Sequence, residues 1–147
     1  FQKIAAEYGS TSAALWSRIA LAHLEQEEEN FQGALELLAA AEQEAAAKSP
    51  LKPLLLVNLG NLYEQLKQFA KAESVYQQLQ TFKGFEPLAL ASLGRVYEAK
   101  GKNGKAVQVY QQYMGLAEMG KDQSNDALPQ SFSEQEIVQA SLNRLLQ

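Results

Sequence analysis

One stretch of the chain occurs twice, at a constant offset of 34 residues. Residues 53–79 align with residues 87–113 without a gap, and each copy contains the motif Leu-Gly-x-x-Tyr. The identical pairs include Pro53 and Pro87, Leu56 and Leu90, Leu59 and Leu93, Gly60 and Gly94, Tyr63 and Tyr97, Ala72 and Ala106, Tyr76 and Tyr110, and Gln77-Gln78 and Gln111-Gln112. A fixed period of this length indicates that each copy is one structural unit that packs against its neighbour.

The period and its pattern resemble the tetratricopeptide repeat, in which each repeat is a pair of antiparallel helices. The composition agrees, because the abundant alanine, leucine, glutamine and glutamate all favour helix. The four prolines, at positions 50, 53, 87 and 129, fall where helices would begin or end. We therefore predict an all-α fold, a right-handed α-solenoid of antiparallel helix pairs with a C-terminal capping helix.

A weaker copy precedes these two, with Ala34 aligned to Ala72 at an offset of 38. After the third copy, Ser133 and Glu136 have the spacing of a capping box, which predicts the start of a last helix. Its apolar residues form one stripe: Ile137, Val138, Leu142, Leu145 and Leu146. The predicted organisation is a repeat array at 1–119, with a remnant helix at 1–8 and pairs at about 12–48, 51–82 and 86–119, then a loop at 120–132 and the capping helix at 133–147.

Glycine inside a helix costs about 1 kcal/mol relative to alanine. Gly60 and Gly94 nevertheless recur at the same position of the first helix in two copies, and Ala72 and Ala106 recur in the second helix. Small residues let two helices approach closely, and the packing gained there can offset the cost of the glycine. We interpret both glycines as packing residues.

Stacked helix pairs curve, so the first helices of the pairs would line a concave groove. Aligning the copies on their Leu-Gly positions predicts these groove residues: Trp16, Ile19, His23, Leu54, Val57, Asn61, Gln65, Leu88, Ala91, Arg95 and Ala99. The mixture of apolar and polar side chains suits an extended or helical peptide. The alternative for Trp16 and Ile19 is simple packing against the preceding helix.

Other classes of function find little support. The chain has no cysteine and a single histidine, His23, so no nucleophile and base pair, metal site or cofactor is expected, and we do not expect an enzyme. The segment at 101–105, Gly-Lys-Asn-Gly-Lys, lacks the spacing of a phosphate-binding loop. A net charge of −4 argues against nucleic acid. No apolar run reaches the roughly 18 residues of a membrane span.

The order of features also resembles a narrower group, the YfgM-like tetratricopeptide family of bacterial envelope proteins. The likeness covers most of residues 1–119 and depends on Lys83-Gly84-Phe85, Gly94 and the turn at 99–102. One position departs, because family members commonly have an acidic residue after this glycine and this chain has Arg95. The resemblance implies an inner-membrane protein with one span, whose repeats lie in the periplasm and are associated with the Sec machinery and periplasmic chaperones.

We therefore expect a non-catalytic scaffold for protein–protein interaction, the periplasmic part of a membrane-anchored factor. The chain starts at Phe1 without a methionine, so we expect a piece of a longer protein, with any anchor outside it. The alternatives are a soluble, cytoplasmic peptide-binding adaptor, a lipoprotein for outer-membrane or pilus assembly, and an array that only oligomerises. A clamp for a terminal carboxylate, as in chaperone-binding members of this fold, is not expected, because Asn61 and Arg95 lack the lysine partners.

Overall fold

The computed structural model describes residues 12–123 and 130–147. These residues form seven helices and no strand, so the all-α prediction is confirmed. The helices are α1 (Ser12–Glu27), α2 (Phe31–Glu44), α3 (Lys52–Gln65), α4 (Phe69–Leu79), α5 (Glu86–Ala99), α6 (Asn103–Gln123) and α7 (Gln130–Leu146). The remnant helix predicted at 1–8 lies outside the described residues. The chain divides within α4 into two compact units, an N-terminal unit of residues 1–75 and a C-terminal unit of residues 76–147.

The two helices of each repeat pair are joined by the same turn. In each turn one residue has a left-handed backbone conformation: Glu29 with φ 61°, Lys67 with φ 55° and Gly101 with φ 69°. The next amide donates a hydrogen bond to the carbonyl five residues earlier, which is the pattern of a Schellman motif. These bonds are Asn30 N to Glu25 O at 2.7 Å, Gln68 N to Tyr63 O at 2.8 Å and Lys102 N to Tyr97 O at 2.8 Å. The turns therefore repeat at the offsets of 38 and 34 that the sequence alignment predicted.

The start of the second helix also repeats. Ala34, Ala72 and Ala106 are all fully buried, and the amide of each donates to a carbonyl four residues earlier at 3.1 Å. In the second and third pairs a lysine ammonium lies over the tyrosine of the first helix, Lys71 over Tyr63 and Lys105 over Tyr97, each 5.5 Å from the ring centre. Such cation–π contacts at exposed sites contribute about 0.5–1 kcal/mol.

The core of the N-terminal unit is built from three helices. Its fully or nearly fully buried apolar residues are Leu15, Ile19 and Ala22 of α1, Ala34, Leu38 and Ala41 of α2, and Leu55, Leu59 and Leu62 of α3. Ion pairs link the helices around this core. Arg18 of α1 pairs with Glu44 of α2, and Lys52 of α3 lies 2.6 Å from the carboxylate of Glu42 on α2. The apolar faces thus hold α1, α2 and α3 together as one layer of packed helices.

In the C-terminal unit, α5 and α6 meet at Gly94. A Cβ atom placed on Gly94 would lie 2.0 Å from Cε1 of the Tyr110 ring, far inside van der Waals contact. The missing side chain is therefore what lets the ring of Tyr110, which is almost fully buried, pack on the α5 backbone. The packing role predicted for Gly94 is confirmed, although Tyr110 fills the space within its own helix pair.

The last helix differs from its predicted limits. Helix α6 continues to Gln123, beyond the predicted end near 119, and α7 begins at Gln130, directly after a proline. Ser133 consequently lies inside α7, so the predicted capping box does not start this helix. A proline is itself a common signal at the first turn, and here it precedes the capping-box spacing. Val138 and Leu142 of the predicted apolar stripe are buried, whereas Ile137 and Leu146 are largely exposed.

We expect Gly94→Ala to lower the free energy of unfolding by about 2 kcal/mol, because overpacking against the buried ring outweighs the better helix propensity of alanine. Chemical denaturation of purified variants measures this difference. Gly115→Ala on α6 is the matched control, since a Cβ there meets no atom within 4 Å. That variant should gain up to about 1 kcal/mol. Equal stabilisation of both variants would contradict the role of Gly94.

Candidate functional site

The predicted groove residues of the N-terminal unit lie on one face of α1 and one face of α3. On α1, Trp16 is 52 % exposed, and His23 is also exposed two turns later on the same side of the helix. On α3, Leu54 and Val57 are half-buried, and Asn61 and Gln65 are exposed. The spacing of three and four residues puts these four side chains on a single face. We refer to Trp16 and His23 as the α1 face and to these four residues as the α3 face.

Ile19 is on the same side of α1 by its spacing from Trp16 and His23, but its side chain is buried. Only 3 % of its surface is exposed, and it belongs to the core cluster of the N-terminal unit. Its side chain therefore stabilises the packing of α1 on α2 and α3. A partner would reach it only if this core opened.

In the C-terminal unit, two predicted groove residues line a cavity. Ala91 and Arg95 of α5, together with Tyr110 of α6, form one side of a space of about 270 Å³. Helix α7 forms the other side with Glu134, Ile137 and Val138. Ala91 is 2 % exposed, Leu88 is half-buried and the Arg95 side chain is exposed. The capping helix thus lies against α5 at the positions predicted for the groove, which the sequence alignment did not indicate.

The carboxylate of Glu98 on α5 accepts two hydrogen bonds, one from α6 and one from α7. The Tyr110 hydroxyl donates to Oε1 of Glu98 at 2.7 Å, and the Arg144 guanidinium of α7 donates to Oε2 of the same carboxylate. Burial, followed by the contact with Glu98, raises the pKa of Tyr110 above its ordinary value, whereas a hydrogen bond to Ser141 of α7 lowers the pKa. The hydrogen bond to Glu98 also raises the pKa of Arg144. Both donors are protonated at neutral pH and can donate to this carboxylate.

Sequence reasoning missed Glu98. A signal was present, because Glu64 and Glu98 follow Tyr63 and Tyr97 at the repeat offset of 34. A glutamate that recurs beside a core tyrosine is a candidate partner for a buried hydroxyl. The pairing with Arg144 has no such signal, since the two residues are separated by 46 positions and belong to different elements.

A second tyrosine of α6 contacts α7. Tyr113 is buried, and its burial, together with the charge and hydrogen bond of Glu134, raises its pKa to about 12. Glu134 also lines the cavity, so the same carboxylate forms part of the cavity wall and binds α7 to α6. Two side chains of the cavity wall, Tyr110 and Glu134, are therefore held by hydrogen bonds to Glu98 and Tyr113.

Two further cavities lie within single units. A second cavity in the C-terminal unit, distinct from the one beside α7, has a volume of about 580 Å³ and is lined by Gln80, Glu86, Leu90, Gln112, Gly115, Leu116 and Met119. The cavity in the N-terminal unit has a volume of about 320 Å³ and is lined by Leu21, Glu25, Gly33, Glu36, Leu37 and Ala40.

Across the described part of the chain, His, Cys, Asp and Glu side chains form no group of three that could hold a metal ion. Within the same residues, every helix is too short or too polar to cross a bilayer.

Solved structures with the same fold are repeat proteins. The nearly identical tetratricopeptide-like repeats of a Podospora anserina protein, assigned as a kinesin light chain, align with 98 % of this chain and 73 % of their own, at a TM-score of 0.74 and 19 % identity. A variant of those repeats that carries one substitution aligns over the same shares at a TM-score of 0.75 and 20 % identity. No curated protein matches the sequence. The structure thus has the fold of tetratricopeptide-like repeat arrays.

One family model gives a different result. The model described as the ABC1 atypical kinase-like domain matches residues 61–141. Protein kinases require a glycine-rich loop, a lysine on a strand and the motifs His-Arg-Asp and Asp-Phe-Gly. The range contains no histidine and neither motif, and its described residues form α4 to α6, most of α7 and the end of α3. The structural likeness, which covers nearly the whole chain, decides the fold in favour of the repeat array.

We expect alkaline conditions to weaken the C-terminal unit through Tyr113. Its pKa is about 12 in the folded chain against an ordinary value of 10.0, so its contribution is complete below pH 10 and is lost as the pH rises through 12. A difference of this size corresponds to about 3 kcal/mol. Denaturation of wild type and Tyr113→Phe across this range should show a flatter pH dependence for the variant. Parallel curves would show that Tyr113 titrates normally.

Proposed function

We propose that the chain is a non-catalytic scaffold that binds an extended or helical segment of a partner protein on the α1 and α3 faces. The observation that carries this proposal is Trp16, which is 52 % exposed on a helix whose Leu15, Ile19 and Ala22 are all buried. Tryptophan has a large apolar surface that gains free energy when a partner covers it, and it is a frequent anchor at interfaces.

The polar members of the two faces would orient the bound segment. His23, Asn61 and Gln65 are exposed and can each donate or accept hydrogen bonds, whereas Leu54 and Val57 offer half-buried apolar contact. Apolar contacts with a few placed polar groups are the usual composition of a peptide-recognition surface. On the C-terminal unit, Leu88 and the exposed Arg95 would provide a separate contact beside α7, whereas the predicted groove residue Ala91 is only 2 % exposed and would not reach a partner.

For the cellular setting, we propose the periplasmic side of a bacterial inner membrane. The support is the sequence resemblance around Lys83-Gly84-Phe85, Gly94 and the turn at 99–102 to the YfgM-like family. In this setting the chain would be the periplasmic part of a membrane-anchored ancillary factor, with partners in the translocon or among periplasmic chaperones. A soluble peptide-binding adaptor and a lipoprotein for outer-membrane or pilus assembly are the alternatives.

Trp16 is the only tryptophan, so its fluorescence reports directly on the α1 face. Tryptophan-free peptides that tile the periplasmic segments of the translocon and of periplasmic chaperones are suitable probes. We expect a bound segment to shift the emission of Trp16 to shorter wavelength and to protect it from a soluble quencher.

Asn61→Ala should then weaken the binding about fivefold, the loss expected for one hydrogen bond. Gln43→Ala is the matched control, because it removes an exposed amide from α2, outside both faces. Arg95→Glu tests the contact on the C-terminal unit separately. Binding that leaves the emission of Trp16 and the effect of Asn61 unchanged would place the site elsewhere.

Cell fractionation tests the cellular setting. We expect the native full-length protein to stay in the membrane pellet after an alkaline wash. The repeats should be digested by added protease only after the outer membrane is opened. Recovery in the soluble cytoplasmic fraction would refute the envelope assignment and favour the adaptor. Release from the membrane after loss of a lipidated cysteine upstream would favour the lipoprotein.

A further inference from the structure

The cavity of the N-terminal unit, between α1 and α2, has a divided lining. Its apolar part is formed by Leu21 of α1 and by Leu37 and Ala40 of α2. Its charged part consists of two carboxylates, Glu25 of α1 and Glu36 of α2. The cavity has a volume of about 320 Å³ and is separate from the α1 and α3 faces.

The partners of these two carboxylates differ from those of Glu42 and Glu44 at the end of α2. Glu42 and Glu44 form ion pairs with Lys52 and Arg18. Glu25 instead accepts a hydrogen bond from the side-chain amide of Asn30, and Glu36 accepts one from the amide of Gln32 at 3.1 Å. In the described structure both cavity carboxylates are thus bonded to neutral groups. Glu25 is half-buried and Glu36 is exposed at the cavity mouth. Two carboxylates at one end of an apolar wall favour a cationic group as an additional partner.

Gly33 helps to form this arrangement. A Cβ atom there would lie 2.5 Å from Nδ2 of Asn30 and 3.0 Å from Oε2 of Glu25. The absence of a side chain lets both groups lie over the first turn of α2, where Asn30 also accepts a hydrogen bond from the Gly33 amide at 3.1 Å. The Glu25 carboxylate is in this way held beside the cavity by the cap of the neighbouring helix.

We propose that this cavity binds a lysine or arginine side chain of a partner protein. The aliphatic stem would lie on Leu21, Leu37 and Ala40, and the charged head would lie between Glu25 and Glu36. Long basic side chains bury their methylene groups against apolar surface while the charge stays with polar partners, which matches both parts of this lining. The proposal deepens the proposed scaffold function, because it states the partner's chemistry, but it uses a different surface.

Amide chemical-shift titration of the labelled protein tests the proposal. The probe is a tryptophan-free, alanine-rich helical peptide with a leucine and a lysine one turn apart, and the matched analogue has glutamine in place of the lysine. We expect saturable shifts at Gly33, Leu37 and Ala40 with the lysine peptide, weaker at high salt, and none with the analogue. Equal shifts with both peptides, or no shifts with either, would refute the proposal.

The double variant Glu25→Gln/Glu36→Gln keeps acceptors for Asn30 and Gln32 and removes both charges. It should weaken the lysine peptide about tenfold, the effect of losing two partly exposed charge contacts. The control Glu27→Gln/Glu28→Gln removes the same charge from exposed neighbours that do not line the cavity. An equal loss in both double variants would reduce the effect to general electrostatic attraction and overturn the site.

A steric variant, Ala40→Phe, places a ring in the apolar part of the cavity and should abolish the shifts, with circular dichroism as the check on folding.

The test of this cavity can be told apart from the test of the proposed scaffold, since the fluorescence of Trp16 reports on the α1 face alone. Shifts at the cavity without any response of Trp16 to partner segments would support the cavity and refute the α1 face. A response of Trp16 without cavity shifts would support the α1 face and refute the cavity.

Discussion

The close approach of the two helices in a repeat pair is the constraint on which the structure depends. In the C-terminal unit it requires a residue without a side chain at Gly94, because the ring of Tyr110 occupies the space where a Cβ would stand. The buried alanine at the start of each second helix is likewise small enough to let the two helices approach closely. With the helices this close, the tyrosine hydroxyl reaches Glu98, and Glu98 in turn reaches Arg144 of α7. The contact at Gly94 therefore also positions the attachment point of the last helix.

Features that follow from the repeat could be predicted from the sequence. The alignment at offsets of 34 and 38 places the three turns correctly, and the structure shows the same hydrogen bonds in each. Such features depend on interactions within a few residues, so each copy carries its own signal. The packing role of Gly94 belongs to this class, because the cost of glycine in a helix makes its recurrence informative.

Features that depend on distant residues could not be predicted in this way. Helix α7 belongs to no repeat, so neither its position across the cavity from Ala91 and Arg95 nor its bond to Glu98 has a signal in the alignment. The sequence left open whether Ile19 is accessible or packed against a helix, for a related reason. The alignment assigns a face to a position, but the packing of α1 on α2 and α3 decides which side chains on that face stay accessible. Surface prediction therefore needs the tertiary contacts.

The three turns have the same geometry, but the free-energy cost of their left-handed backbone differs. A left-handed backbone is unstrained for Gly101, whereas it costs a residue with a side chain roughly 1 kcal/mol or more, as at Glu29 and Lys67. Both strained turns belong to the N-terminal unit, and the relaxed one belongs to the C-terminal unit. An array with one turn geometry thus carries this backbone cost in its N-terminal unit, the half of the chain that also has Trp16 and the acidic cavity.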